Sequence, residues 1–148
     1  MISREPLPEI IHFSECVKEV LGPKLEKNGF KLISNDMNGS WITITYLKEN
    51  IFIKVQGSID YRDDPSYYNI VLGSGESKNI SDWYSIALWQ LIRAIEPESI
   101  AKEYVFPIGN DANKSLENAT SDLLKYGKDF LSGDFTTFNE IVRKQNGK

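Results

Sequence analysis

One histidine and one cysteine lie four residues apart near the start of this 148-residue chain. His12 and Cys16 would share one face of a helix, and a histidine beside a thiol can generate a reactive thiolate. No third residue that would orient the histidine is suggested by the sequence. A small cysteine on a helix more often packs in the core. We therefore predict that the pair is structural and that the protein has no catalytic residue.

A second place for charged chemistry is the polar segment DYRDDPS at residues 60–66. The carboxylates of Asp60, Asp63 and Asp64 could bind a hard cation. The segment lacks the ordered spacing and the distal glutamate of a calcium-binding loop, and Arg62 would compete for the carboxylates. Asp and Pro are also favoured in turns for local reasons. The segment therefore predicts a solvated turn and no metal site.

The glycine-containing segment at residues 73–78, GSGESK, superficially resembles a phosphate-binding loop. It lacks the spacing of that motif, and the strands around it do not supply the strand–loop–helix setting that phosphate binding needs. We predict no phosphate site and no cofactor.

Aromatic side chains interleaved with aspartates form the most informative group in the sequence. Tyrosine and tryptophan are enriched at protein interfaces because their rigid, amphipathic rings bury area at low entropic cost. The alternative is that most of these rings are core residues. The group, extended by two aromatic residues of a predicted hairpin, gives a candidate partner-binding set that comprises Trp41, Phe52, Asp60, Tyr61, Asp63, Asp64, Tyr67, Trp83 and Trp89.

Charge and composition exclude several classes of function. The net charge is −4, and residues 51–99 contribute −3 of it, so a phosphate-neutralising, nucleic-acid-binding surface is not expected. A local acidic surface would instead attract a basic partner. A single cysteine permits no internal disulfide. We expect a cytoplasmic protein without membrane contact, because the sequence shows neither a signal peptide nor a long apolar run.

The element expected to position these residues is a β-hairpin at residues 40–59, with sequence SWITITYLKENIFIKVQGSI. Apolar and polar residues alternate with period two on both sides of a short polar break at residues 48–50, which is typical of two half-buried antiparallel strands. The pattern predicts one buried row and one row whose environment depends on helix placement. The buried row comprises Ile42, Ile44, Tyr46, Ile51, Ile53 and Val55.

The remaining periodicities predict a single α+β domain over residues 1–148 with a four-stranded antiparallel meander. Two further strands are expected at residues 30–36 and 67–73, and helices at residues 13–28, 82–95 and 113–131, with a short last helix from Phe135. Gly22-Pro23 predicts a kink or break in the first helix. Residues 1–11 are expected to be an extended lead-in, and residues 143–148 a frayed tail. One N-terminal and three C-terminal helices would then cover mainly one face of the sheet.

Three stretches of the chain resemble small bacterial cytosolic α+β proteins. These are a helix ending in a Leu-x-x-x-Gly-Phe turn (Leu25, Gly29 and Phe30), residues 83–95 before a proline, and LSGDF at residues 131–135. Several proteins of that kind are thought to be immunity proteins that neutralise polymorphic toxins. The resemblance implies a role in binding a toxin and brings no catalytic residue with it.

The sequence thus favours a non-enzymatic protein-binding protein, and an immunity-type inhibitor of a basic toxin domain is its specific form. The alternative is a small-molecule binding module or minor enzyme with a pocket between sheet and helices lined by tyrosine and tryptophan. A homodimer through the open edge or the uncovered face of the sheet is compatible with either function.

Overall fold

An antiparallel sheet with helices on one face forms the fold, and the computed structural model describes residues 4–60, 65–107 and 109–146 of it. The strands are β1 (Lys31–Asn38), β2 (Trp41–Lys48), β3 (Ile51–Ser58), β4 (Tyr67–Ser74), β5 (Tyr84–Ala87) and β6 (Tyr104–Val105). The helices are α1 (Pro8–Lys27), α2 (Leu88–Ile95), α3 (Ala112–Tyr126), α4 (Lys128–Ser132) and α5 (Thr136–Gln145). The predicted α+β class is confirmed.

The strands follow one another across the sheet in the order β1-β2-β3-β4-β5, each antiparallel to its neighbour. Both β5 and β6 pair with β4, β5 along Val71–Ser74 and β6 at Tyr67 and Tyr68. The four predicted strands are therefore present in the predicted meander. The sheet has more strands than the four that were predicted, because two short segments extend it beyond β4.

The hairpin of β2 and β3 has the predicted register. Ile44 lies opposite Val55 and Tyr46 opposite Ile53, with Glu49 and Asn50 as the two-residue turn. Every residue of the predicted buried row is buried, namely Ile42, Ile44, Tyr46, Ile51, Ile53 and Val55. The alternation of side chains thus determined the orientation of this ribbon.

The helix predicted at residues 82–95 is wrong in its first half. Tyr84–Ala87 is strand β5, and the helix begins at Leu88. Gln90 Oε1 accepts a hydrogen bond from the Ala87 backbone N–H, which closes the first turn of α2. In a continuous helix over 82–95, Tyr84 and Ile95 would lie on the same apolar stripe as Leu88 and Leu91, but both are exposed.

The first helix starts earlier and is more continuous than predicted. It begins at Pro8, so part of the predicted lead-in is helical, and it runs through Pro23 to Lys27 without a break. Proline at the first helical position is favourable because its missing N–H would be unpaired there. The predicted stop at Asn28-Gly29 is confirmed: Gly29 has φ +92°, and the Phe30 N–H donates to the Leu25 carbonyl.

The C-terminal part contains one helix more than predicted. The helix expected at residues 113–131 is interrupted at Gly127, whose N–H donates to the Leu123 carbonyl at 2.7 Å and ends α3. The short helix α4 follows and ends at Gly133, with φ +100°. The last helix, α5, extends to Gln145, so part of the predicted frayed tail is helical.

All five helices contribute buried side chains to one connected core on one face of the sheet. The sheet residues in this core are the inward row of β2 and β3 together with Tyr68, Ile70 and Leu72 of β4 and Ile86 of β5. The opposite face contributes no described hydrophobic residue to this core. The described helices therefore pack on one face of the sheet, although their number and bounds differ from the prediction.

Candidate functional site

We call the helix-free side of the sheet the open face. Paired residues of antiparallel strands lie on the same side, so Thr45, Lys54, Val71 and Ala87, which pair in succession from β2 to β5, form one row across it. In this row Lys54, Val71 and Ala87 are half-buried, whereas Thr45 is buried.

One end of the open face carries a transverse row of three large side chains and one serine, which we call the end row. It comprises Trp41, Ser58, Tyr67 and Val105. Trp41 pairs with Ser58, Tyr67 pairs with Val105, and the pairing of Tyr68 with Gly57 places Tyr67 beside Ser58. Trp41 is 48% exposed and Val105 is 54% exposed. Adjacent strands are about 4.8 Å apart, so two aromatic rings flank the small serine within reach of one ligand surface.

The acidic segment begins at the same end of the sheet. The Ile59 N–H donates to the Ser40 carbonyl, which places Asp60 directly beyond the end row. The Asp60 N–H donates to Ser66 Oγ at 2.9 Å, and this contact closes the base of the segment. Of the candidate residues in it, Tyr61, Asp63 and Asp64 lie outside the described residues. Trp41, Asp60 and Tyr67 are thus brought together from three different positions in the sequence.

Phe52 and Trp83 form a separate cluster at the other end of the open face. Their rings stack with centroids 6.0 Å apart, and Lys54 Nζ lies 4.7 Å from the Phe52 centroid. Phe52 is only 3% exposed, so it is not the open contact residue that the hairpin pattern allowed. Phe52 and Ser58 are six residues apart on β3, or about 20 Å at the usual rise of a strand. The two aromatic clusters are therefore distinct.

Glycines make room for this stack. A Cβ on Gly73, which pairs with Phe52, would lie 2.0 Å from its ring, and a Cβ on Gly75 would lie 2.3 Å from the Trp83 ring. The Trp83 indole N–H also donates to the Ser77 carbonyl at 2.8 Å. The cluster therefore fixes the segment after β4 against the sheet, and its role is structural.

Trp89 lies apart from both clusters. It is on α2, which packs on the covered side of the sheet, and its half-buried ring is 5.1 Å from the Arg93 guanidinium. The Arg93 Nε–H in turn donates to the Ala101 carbonyl. Among the described residues, no ring contact joins Trp89 to the other candidate aromatic residues.

The predicted histidine–cysteine pair is in contact. Cys16 Sγ lies 3.6 Å from His12 Nε2, as the helical spacing predicts. Burial raises the pKa of the Cys16 thiol, and the carboxylates of Glu19 and Glu15 raise it further. A higher pKa disfavours the thiolate form of Cys16.

Tyrosines fill the space between sheet and helices. Tyr46 and Tyr68 are each 1% exposed, so neither lines an open pocket of the kind the small-molecule alternative requires. Burial raises the pKa of each phenol to about 12, and Glu26 raises that of Tyr46 further. At Tyr68 the hydrogen bond with Ser115 lowers the pKa and the nearby Asp122 raises it, each by less than burial does.

Two hydrogen bonds connect Tyr68 and Tyr104 to α3. Tyr68 Oη lies 2.7 Å from Ser115 Oγ, and the Tyr104 hydroxyl donates to Asp122 Oδ2 at 2.7 Å. The two rings stack with centroids 5.3 Å apart. Burial, followed by the hydrogen bond to Asp122, strongly raises the pKa of Tyr104. The tyrosines thus dock α3 on β4 and β6.

Within the described residues, no group of three or more histidine, cysteine or acidic side chains is placed to hold a metal ion. In the same part of the chain, no helix is both long and apolar enough to cross a bilayer.

Sequence reasoning identified Trp41 and Tyr67 but not their neighbours in the end row. Ser58 carries no signal in the sequence. Val105 lies in a stretch expected to be irregular, and only its pairing with Tyr67 brings it onto the open face. The one available signal was the short apolar run at residues 104–106 beside the polar segment 98–103.

In comparisons with protein-family models, curated proteins and solved structures, nothing matches this chain. The site must therefore be interpreted from its own geometry.

Proposed function

We propose that the protein is a non-enzymatic binding protein whose end row contacts a basic surface of a protein partner. The observation that supports this most strongly is the exposure of Trp41 and Val105 in one row with Tyr67, on a sheet face where no described helix packs. Large apolar side chains at adjacent positions on a surface mark contact sites more often than isolated ones do.

The chemistry of the end row suits a protein ligand. Tryptophan and tyrosine are the residues that most often dominate binding energy, especially where they surround a small central residue and exclude water together. Ser58 is exposed between the two rings and offers a hydroxyl for a hydrogen bond at the centre of the contact. The row lies on rigid, paired strands, so binding would cost little ordering entropy.

The sign of the partner's charge follows from the sequence beside the end row. Residues 60–64 contain three aspartates and one arginine, and the stretch from 51 to 99 contains seven acidic and four basic side chains. An acidic border next to an aromatic contact would orient and accelerate the approach of a basic partner, and would contribute less to the final affinity.

A toxin domain with a basic surface is the partner class that we favour. An immunity-type inhibitor needs a rigid complementary surface and no chemistry of its own. The exposed end row on paired strands supports such a role.

Affinity capture with three matched baits tests the proposal. The baits are the wild type, Trp41→Ala and the control Tyr84→Ala, since Tyr84 is a 60% exposed aromatic residue on the other side of the sheet. We expect one basic protein that is retained by the wild type and the control and is reduced at least about fivefold with Trp41→Ala. If every captured protein is retained equally by all three baits, the end row is not the contact surface.

A further inference from the structure

Strand β1 is a free edge of the sheet. It pairs with β2 along one side, and no other described strand pairs with it. The Arg4 N–H donates to Asn38 Oδ1 and the Gly39 N–H donates to the Arg4 carbonyl, so the described residues before α1 bond to the last residue of β1 and to the turn. Helix α1 meets β1 through a side-chain contact, in which the Asn35 amide donates to Ser14 Oγ. The rest of this strand has backbone donors and acceptors available to a further strand.

The exposed residues on this edge are apolar at its centre. Leu32 is 42% exposed and Ile33, the next residue, is 48% exposed. Free edges are usually protected against pairing by charges and bulges. This edge has a bulge, yet two adjacent aliphatic side chains remain exposed to solvent. Their exposure favours a strand that is covered by another protein surface in solution.

The bulge in β1 changes which residues of the strand share a face. The register shifts between Leu32, which pairs with Tyr46, and Ser34, which pairs with Thr45, so Ile33 is an extra residue. Residues five positions apart normally point to opposite faces. Here Lys31 pairs with Leu47 and Asp36 pairs with Thr43, so both lie on the open face.

This arrangement makes β1 complementary to itself. If two copies meet antiparallel about an axis between Ile33 and Ser34, Lys31 of each copy lies opposite Asp36 of the other, on the same face. Leu32 then lies opposite Asn35, both on the covered face, and Ile33 lies opposite Ser34 at the centre. Opposite charges at directly opposed positions stabilise strand pairing, and two such pairs arise by symmetry.

We propose that the protein forms a two-fold symmetric homodimer through its β1 edges, which joins two sheets into one. Because opposed residues share a face, the open faces of the two copies lie on the same side of the joined sheet. The dimer uses β1 and the proposed partner contact uses the end row, so the two surfaces are tested separately.

A charge-swap series measured by sedimentation equilibrium tests the dimer. Lys31→Asp alone places two pairs of like charges at the interface, as does Asp36→Lys alone. We expect each single variant to raise the dimer dissociation constant at least about tenfold, and the double variant Lys31→Asp/Asp36→Lys to restore it to within about threefold of the wild type. Lys144→Asp, at an exposed position of α5, is the matched control and should leave the constant unchanged.

Three results would overturn the proposal. A wild type that stays monomeric up to about 1 mM protein excludes a specific dimer of useful affinity. A dimer that neither single variant weakens uses another surface. A double variant that stays as weak as the single variants contradicts the register. Far-UV circular dichroism of each variant separates loss of pairing from loss of folding.

Discussion

Trp83 and Trp41 have different roles in this protein. Trp83 stacks on Phe52, lies against Gly75 and donates its indole N–H to the Ser77 carbonyl. Trp41 is half exposed at the end of β2. The first ring stabilises the fold, and the second is available for contact.

Alanine substitution at the two positions should separate these roles. Trp83→Ala removes a stacked, hydrogen-bonded ring, so we expect the free energy of unfolding to fall by about 2–3 kcal/mol. Trp41→Ala removes less buried area and should cost less than about 1 kcal/mol. Urea denaturation measures both. Equal losses would contradict the assignment of Trp83 to the fold and of Trp41 to the surface.

The buried tyrosines make stability depend on alkaline pH. Burial raises the pKa of Tyr68 in the folded protein to about 12, against about 10 in the unfolded chain. The folded state holds its proton more tightly, so this stabilisation is complete below about pH 10 and is lost as the pH rises through about 12.

Tyr68→Phe tests this pH dependence. The variant should lose about 1 kcal/mol at neutral pH, because the contact with Ser115 is removed. Between about pH 10 and 12, the free energy of unfolding of the variant should fall less steeply than that of the wild type. The two slopes should differ by up to about 1.4 kcal/mol per pH unit. Urea denaturation at several pH values measures the slope. The same slope in wild type and variant would show that the Tyr68 phenol does not titrate differently in the two states.

At the scale of elements, the hairpin was predictable and strand β5 was not. In β2 and β3, the alternation of β-branched and polar residues fits only a half-buried ribbon. At residues 82–95 the apolar positions also fit a helical stripe, because four residues of strand precede a helix of high apolar content. Residues 84–87 form a strand because they pair with β4, where Ile86 lies opposite Leu72. A local sequence pattern does not reveal this pairing.

The hairpin turn contains a residue in an unfavourable conformation. Glu49 has φ +51°, which a side chain with a Cβ adopts at a cost of about 1–2 kcal/mol. Glu49→Gly should relieve this strain, although glycine also gains entropy in the unfolded chain. We expect a net stabilisation of about 0.5 kcal/mol, measured as an increase in the urea midpoint at unchanged m-value. A loss of stability would show that the Glu49 side chain makes a favourable contact larger than the strain.

At the scale of the whole molecule, the candidate surface was partly predictable. Trp41 and Tyr67 were identified by residue type, since aromatic residues are enriched at interfaces. Their adjacency depends on the register of three strand pairs, and Val105 joins them only through β6. Sequence patterns define faces within a strand, but tertiary pairing decides which faces and ends meet.

The acidic balance of the molecule predicts a salt-dependent interaction. With a net charge of −4, the protein should bind a basic partner more slowly as ionic strength rises, because screening shortens the range of attraction. Between about 50 and 500 mM NaCl we expect the association rate to fall about tenfold, while the dissociation rate changes little. Biolayer interferometry measures both rates. An association rate independent of salt would contradict the proposed charge of the partner.

The central claim is that the end row is the contact surface for a protein partner. The most direct test is the dissociation constant of the captured partner, measured by calorimetry with wild type, Trp41→Ala and Tyr84→Ala. If the end row is the contact surface, binding should be at least about tenfold weaker for Trp41→Ala, or about 1.4 kcal/mol, and unchanged for Tyr84→Ala. Equal constants for all three proteins would contradict it.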